Sequence, residues 1–146
     1  KGDAVRRVVD TGEHISEDTR AYLEERNKNS VVIIGIESVR AVNNLEEILK
    51  VEGIDGIFVG PNDMSISLGI PDQYDKPEYK DTVKKVIDTS EAHGIPVLVH
   101  HQTADLSSYW IEQGARFVLH TTDRRILAEG YRSDFKRLRD VAKGLE

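Results

Sequence analysis

The sequence contains no cysteine. That excludes disulfides, thiolate-bound zinc, iron–sulfur clusters and a cysteine nucleophile, so any metal must be held by oxygen or imidazole ligands. Long apolar runs are also missing. No stretch approaches the roughly 20 residues needed to cross a bilayer, and no basic start followed by an apolar segment marks a secretory signal. Positive charge is in deficit: 20 Lys and Arg stand against 26 Asp and Glu, a formal net charge of −6. Without a basic stripe, neither nucleic acid nor an anionic membrane surface is expected as a partner. Together these absences lead to the expectation of a cytoplasmic protein.

What is present fits one soluble globular domain, with 146 residues of which 38% are hydrophobic and 32% charged. From residue 31 onward apolar runs and amphipathic segments alternate. Residues 31–36 form a short continuous apolar run, and 39–50 read as an amphipathic helix with Val42, Leu45, Ile48 and Leu49 on one side. Residues 54–59 are a second strand. A helix over 77–93 follows, with Pro77 suited to its first turn and Gly94 just past its end. Residues 95–99 are a third strand, 103–113 a helix, 116–120 a fourth strand, and Asp123 begins a last helix. Strands this apolar, separated by helices and short links, imply a parallel sheet covered by helices on at least one face. Right-handed crossovers then place every strand C-terminus on one edge.

Residues 1–30 differ. Residues 1–10 have a helical pattern, and Ser16 reads as an N-cap with Glu17 and Asp18 in the first turn of a helix running to about Asn27. No strand candidate of comparable strength precedes Val31. The expected fold class is therefore α/β, with a helical lead-in over 1–30 that ends a preceding βα unit and about four βα units over 31–146. A (β/α)8 barrel has eight such units in about 250 residues, so the chain reads as half of one.

The chemistry centres on two acids. Glu37 ends the first apolar run, and Asp63 lies in the peptide Gly60-Pro61-Asn62-Asp63-Met64-Ser65 that follows the second. Neighbouring parallel strands lie about 4.8 Å apart, so side chains beyond two adjacent strand ends can share one ligand. Two carboxylates that close repel unless a cation or proton lies between them. A hard divalent ion with open positions for water and substrate suits such a pair. The alternative is that each acid merely favours the N-terminus of the helix after it, with Asp63 as an N-cap. In the turn, Gly60 allows close backbone approach, Pro61 stiffens the chain, and the following N–H groups can meet a substrate carboxylate.

His100 and His101 close the third strand and His120 the fourth. Only one of His100 and His101 can face inward, where a histidine orients a substrate or acts as a base; their roles and that of His120 stay open. His14 and His93 read as solvated. Arg40 and Arg124 follow strand ends, where an anionic substrate or solvent can meet them. Thr121, Thr122 and Asp123 suit a helix cap, and Tyr109 and Trp110 suit core packing.

These segments resemble a known family. Ile36-Glu37-Ser38, Ala41-Val42-Asn43-Asn44-Leu45-Glu46-Glu47-Ile48 and the run from Val51 through Gly60-Pro61-Asn62-Asp63-Met64-Ser65 are similar to the metal-dependent class II pyruvate aldolases. These are the 4-hydroxy-2-oxoheptanedioate and 2-dehydro-3-deoxyglucarate aldolases. The resemblance extends from about Tyr22 to Thr122. It implies the C-terminal half of a TIM barrel, a lyase, and a divalent ion (Mg2+, Mn2+ or Co2+) held by Glu37 and Asp63. It also implies that Gly60, Asn62 and Asp63 offer backbone contacts to the carboxylate of pyruvate, and that 4-hydroxy-2-oxo acids are cleaved to pyruvate and an aldehyde. Two departures stand out. Gly35 occupies a position where family members often carry glutamine. The family's histidine–aspartate base and substrate-binding arginine come from the first half of the barrel, and residues 1–30 match neither motif, so no catalytic residue is assigned in this chain. Half a barrel leaves a sheet edge and an apolar flank uncovered, which leads to the expectation of a homo-oligomer or of the missing half alongside. Two other readings compete. One is an acyl-CoA lyase of the citrate-lyase or malyl-CoA-lyase type, disfavoured by Pro61 and the lack of a basic cluster for CoA. The other is a non-catalytic metal- or oxo-acid-binding module.

Overall fold

The structure, a computed structural model, describes Thr11 and residues 16–145. The chain divides into two compact units, Lys1–Val31 and Val32–Glu146. In the first, α1 spans Glu17–Lys28, capped as its sequence predicts: Ser16 Oγ accepts from the Thr19 N–H at 3.3 Å. The helical pattern over residues 1–10 and His14 lie outside the described residues.

The second unit carries four strands, β1 (Ile33–Ile36), β2 (Gly56–Val59), β3 (Val97–His101) and β4 (Phe117–His120). They form one sheet in the order β1-β2-β3-β4, every neighbouring pair parallel. Between them lie α2 (Val39–Asn43), α3 (Leu45–Leu49), α4 (Pro61–Ser67), α5 (Pro77–Ala92) and α6 (Ala104–Glu112), and α7 (Asp123–Lys143) ends the unit. Sequential strand order with a helical crossover at each step is the arrangement expected of half an eight-unit barrel.

The strands expected over 31–36 and 54–59 begin later, at Ile33 and Gly56, and three further expectations are revised. The helix expected over 39–50 is two short helices, because Asn44 leaves helical geometry at φ −103°, ψ 9° and its side-chain amide donates back to the Arg40 carbonyl at 2.8 Å. Val42, Leu45 and Leu49 are nevertheless buried on one side, with Ile48 packed against them. The strand expected over 95–99 is displaced to Val97–His101, since Pro96 has no N–H to give the ladder. Its carbonyl still accepts from the Ile57 N–H at 3.0 Å. Third, the turn after β2 continues directly into α4 with Gly60 as N-cap and Pro61 at its start. Asp63 is therefore a first-turn residue, not the cap.

The helices cover one face of the sheet. Ile36, Val59, Val99 and Val118 are register partners on that face. They pack with Tyr79, Val83, Val86, Ile87 and Trp110 into a single core. The alternate residues Gly35, Phe58, Leu98 and Phe117 form the corresponding row on the opposite face. There Ile33, Phe117 and Leu119 are about half exposed. α7 buries no residue, and Leu127, Tyr131, Phe135 and Leu138 stand exposed along it. No helix among the described residues is long and apolar enough to cross a membrane.

Candidate functional site

The open face of the sheet and the C-terminal ends of its strands meet at Glu37. This residue follows β1 and precedes Ser38, the N-cap of α2, whose Oγ accepts from the Ala41 N–H at 3.2 Å. Glu37 thus lies outside the helix, and no acid occupies the first turn of α2. Glu37 directly precedes the cap, so the α2 start still favours its charge. The half-buried Glu37 side chain folds over two glycines. A β-carbon on residue 60 would stand 2.7 Å from Glu37 Cδ, well inside contact, and one on residue 35 would stand 3.5 Å away. In this arrangement the Glu37 side chain occupies the space that a β-carbon on residue 60 would take, and a larger residue there would displace it. Glu37 has no hydrogen-bond or ion-pair partner among the described residues, so a half-buried carboxylate is left to be satisfied by something else.

Asp63 is exposed in the first turn of α4 and likewise has no side-chain partner among the described residues. A helix start suits its charge, so the helix-start explanation retains force for this acid as well. The two loops are tied together: Ser67 Oγ at the end of α4 accepts from the Val39 N–H at the start of α2, at 3.0 Å. That bond fixes the segment after β1 against the segment after β2. Among the described residues no group of three or more His, Cys, Asp and Glu side chains gathers to hold a metal. A cation here would have two carboxylates and otherwise water or substrate, the usual situation of magnesium.

A scaffold that the sequence did not disclose holds the turn. The Tyr74 hydroxyl lies 2.7 Å from both Asn62 Oδ1 and Asp72 Oδ1. Ser65 Oγ donates to the Asn62 carbonyl at 2.8 Å and accepts from the Asp72 N–H at 3.1 Å. Burial, reinforced by the Asp72 carboxylate, pushes the Tyr74 hydroxyl up to about 12, so it stays a donor at every working pH. The Tyr74 contact engages the Asn62 side-chain oxygen and leaves its amide N–H groups and its backbone to meet a ligand. The N–H groups of Asn62 and Asp63, in the first helical turn, have no intrahelical acceptor. A cleft of about 760 Å³ opens beside this turn, lined by Pro61, Asn62, Tyr74, Gln102, Arg124 and Arg132 among others. Glu37 and Asp63 are not in its lining.

The histidines separate. His101 points into the helix layer, 2% exposed, stacked on Trp110 at 6.0 Å between ring centroids, with Tyr79 Oη 3.5 Å from its Nε2. Burial, aided by the neighbouring His100, pushes it down to about 4, so it is a neutral core residue. His120, its register partner, meets Ser107 Oγ of α6 through Nδ1 at 3.0 Å. His93 is paired as well as solvated, with Nε2 3.3 Å from Glu46 Oε2. His100 takes the alternate side of β3, the open face. Arg40 is exposed on α2, and Thr122 is the cap of α7, its Oγ1 accepting from Arg125 N–H at 3.3 Å. Trp110 is buried and Tyr109 packs against the core.

The fold defines the class: half of a parallel α/β barrel, here with Glu37 and Asp63 beyond two adjacent strand ends and Glu37 laid over Gly35 and Gly60. The family model described as HpcH/HpaI aldolase/citrate lyase matches residues 1–129. The chain belongs to that family. It is 35% identical over 123 residues to the 5-keto-4-deoxy-D-glucarate aldolase of Citrobacter koseri, covering 84% of this chain and 46% of that protein. Among solved structures it is similar to an HpcH/HpaI aldolase from Desulfitobacterium hafniense, with TM-score 0.74 and 26% identity, covering 90% of this chain and 51% of the other. An HpcH/HpaI aldolase/citrate lyase family protein from Burkholderia cenocepacia gives TM-score 0.77 and 27% identity, covering 83% and 47%. The chain spans about half the length of the curated relatives it matches.

Proposed function

We propose that this chain carries the metal-binding half of a class II pyruvate aldolase, a lyase acting on 4-hydroxy-2-oxo acids to give pyruvate and an aldehyde. The observation that supports it is the placement of the Glu37 carboxylate: half-buried, without a partner among the described residues, and laid over Gly60 at the head of the turn that bears Asp63. In this reading Glu37 and Asp63 hold a divalent cation, Mg2+, Mn2+ or Co2+. The donor set fits, since two carboxylates without protein partners among the described residues leave positions for water and a bidentate ligand. When bound, the cation supplies Lewis-acid stabilisation of negative charge on a 2-oxo acid. The chain's own part is to receive and orient. The backbone of Gly60, Asn62 and Asp63 meets the pyruvate carboxylate, and the Tyr74–Asn62–Ser65 contacts keep that backbone in place.

Proton transfer falls to the four βα units that would complete the barrel, with residues 1–30 as the end of the unit before β1. The name of the Citrobacter relative places a diacid sugar derivative among the substrates to be tried first. The experiment is release of pyruvate from a 4-hydroxy-2-oxo acid with added Mg2+, assayed for this chain alone and for the chain joined to a complementary half. Metal-dependent pyruvate release supports the proposal. Metal-dependent binding of oxo acid with no release from either form would leave the binding-module reading standing. Release of pyruvate insensitive to a chelator would reject the metal assignment.

A further inference from the structure

His100 lies on the open face at the end of β3, and its surroundings give it a defined chemistry. Ile36 pairs with Val59 and Val59 with Val99. Continuing both registers by one residue puts Glu37, Gly60 and His100 in a single row across the open face, and Leu119 pairs with His100 beyond it. The proximity of Glu37 to Gly60 agrees with the first of these steps. Strands are spaced about 4.8 Å apart, so Glu37 and His100 begin roughly 10 Å apart at the backbone. Residue 60, between them, has no side chain, and the Glu37 carboxylate leans into that gap.

The imidazole is also oriented. His100 Nε2 lies 3.3 Å from the Thr121 carbonyl. A carbonyl can only accept, so this contact places the proton on Nε2. The Gln102 amide, 3.4 Å from the same nitrogen, is interchangeable end for end and adapts to that tautomer. Thr121 is held in turn, its N–H bonded to the His101 carbonyl at 2.8 Å and its backbone at φ 51°, a region non-glycine residues seldom occupy. His100 Nδ1 then carries a lone pair and has no partner among the described residues. His100 thus presents a hydrogen-bond acceptor on the face of the sheet that carries Glu37 and Gly60.

We propose that His100 is a substrate-selecting residue of this site, accepting through Nδ1 a hydrogen bond from a hydroxyl on the part of the substrate that becomes the aldehyde. The proposal rests on the reading of Glu37 and Asp63 as a site for metal and 2-oxo acid. It assigns this chain to hydroxylated 2-oxo acids over their alkyl counterparts, because an unpaired Nδ1 disfavours an apolar group placed against it.

The test compares three ligands by calorimetric titration of the Mg2+-loaded protein at low temperature: pyruvate, 4-hydroxy-2-oxobutanoate, and 2-oxopentanoate, which replaces the hydroxyl by methyl. Wild type is expected to bind the hydroxylated acid roughly fivefold tighter than 2-oxopentanoate, the worth of one neutral hydrogen bond. His100→Leu is expected to erase that preference and leave pyruvate affinity unchanged. His100→Asn, whose side-chain oxygen falls near the place of Nδ1, is expected to keep part of it. No preference in wild type, or a preference that survives His100→Leu, overturns the proposal. Equal loss of all three ligands in His100→Leu also overturns it, since that marks a structural role. Absence of any Mg2+-dependent pyruvate binding in wild type overturns the metal-site reading and this proposal with it.

Discussion

The carboxylate of Glu37 fills the space that a side chain on residue 60 would need. This relationship joins the end of one strand to the turn after the next. Replacing Gly60 by alanine forces the Glu37 side chain, a flexible chain end with no partner among the described residues, off the turn, at little cost in stability. Gly60→Ala is expected to leave the urea midpoint nearly unchanged and to weaken Mg2+ binding at least tenfold. Glu37→Ala/Gly60→Ala is expected to bind no worse than Glu37→Ala alone, a coupling readable from the four-variant cycle.

Tyr74 supports the same turn from the other side, through contacts to Asn62 and Asp72 at 2.7 Å each. Tyr74→Phe keeps the ring, which packs edge-on to Tyr79 at 5.3 Å, and removes only the hydroxyl. The expected cost is about 1–2 kcal/mol of stability, together with weaker pyruvate affinity at unchanged Mg2+ affinity. Thermal unfolding and the two titrations separate these effects.

His101 makes stability depend on pH. Its burial against Trp110 holds it at about 4, below the 6.5 of a free imidazole. The unfolded chain therefore takes up the proton first. The His101 contribution is fully present above about pH 6.5, declines as the pH falls towards about 4, and is spent below that. Urea midpoints measured from pH 7.5 to 4 are expected to fall more steeply in wild type than in His101→Leu, the difference being confined to that window.

The open face predicts association. Ile33, Phe117 and Leu119 are 49%, 56% and 50% exposed on one side of a sheet in which, among the described residues, β1 and β4 are the edges. α7 adds exposed Leu127, Tyr131, Phe135 and Leu138. Sedimentation of the chain alone is expected to show a dimer or larger species, and addition of a complementary half-barrel should replace it with a heterodimer. A monodisperse monomer would contradict this expectation.

The alternation of apolar runs and amphipathic helices was enough to read four parallel βα units, because each strand is buried by helices on one face and each helix presents one apolar side. The acids Glu37 and Asp63 were legible too, as residues just beyond strand ends. Local signals did not reach further. Strict alternation showed that His100 and His101 face opposite ways, but the choice between the faces depends on Trp110, contributed by α6 after the strand ends. The displaced start of β3 followed from Pro96, whose effect on the ladder is felt only once β2 is beside it. Tyr74 carries no pattern in its loop, and its role arises from a contact 12 residues back in sequence. The split at Asn44 came from a side-chain bond competing with the helix backbone, a contest that apolar periodicity does not register.

The central claim is that Glu37 and Asp63 form one divalent-cation site that a 2-oxo acid completes. The most direct measurement is titration of the protein with Mn2+, followed by electron paramagnetic resonance, with and without pyruvate. One tight site that pyruvate strengthens in wild type, lost in both Glu37→Ala and Asp63→Ala while both variants remain folded, is the predicted result. Unchanged Mn2+ affinity in either variant would contradict the account.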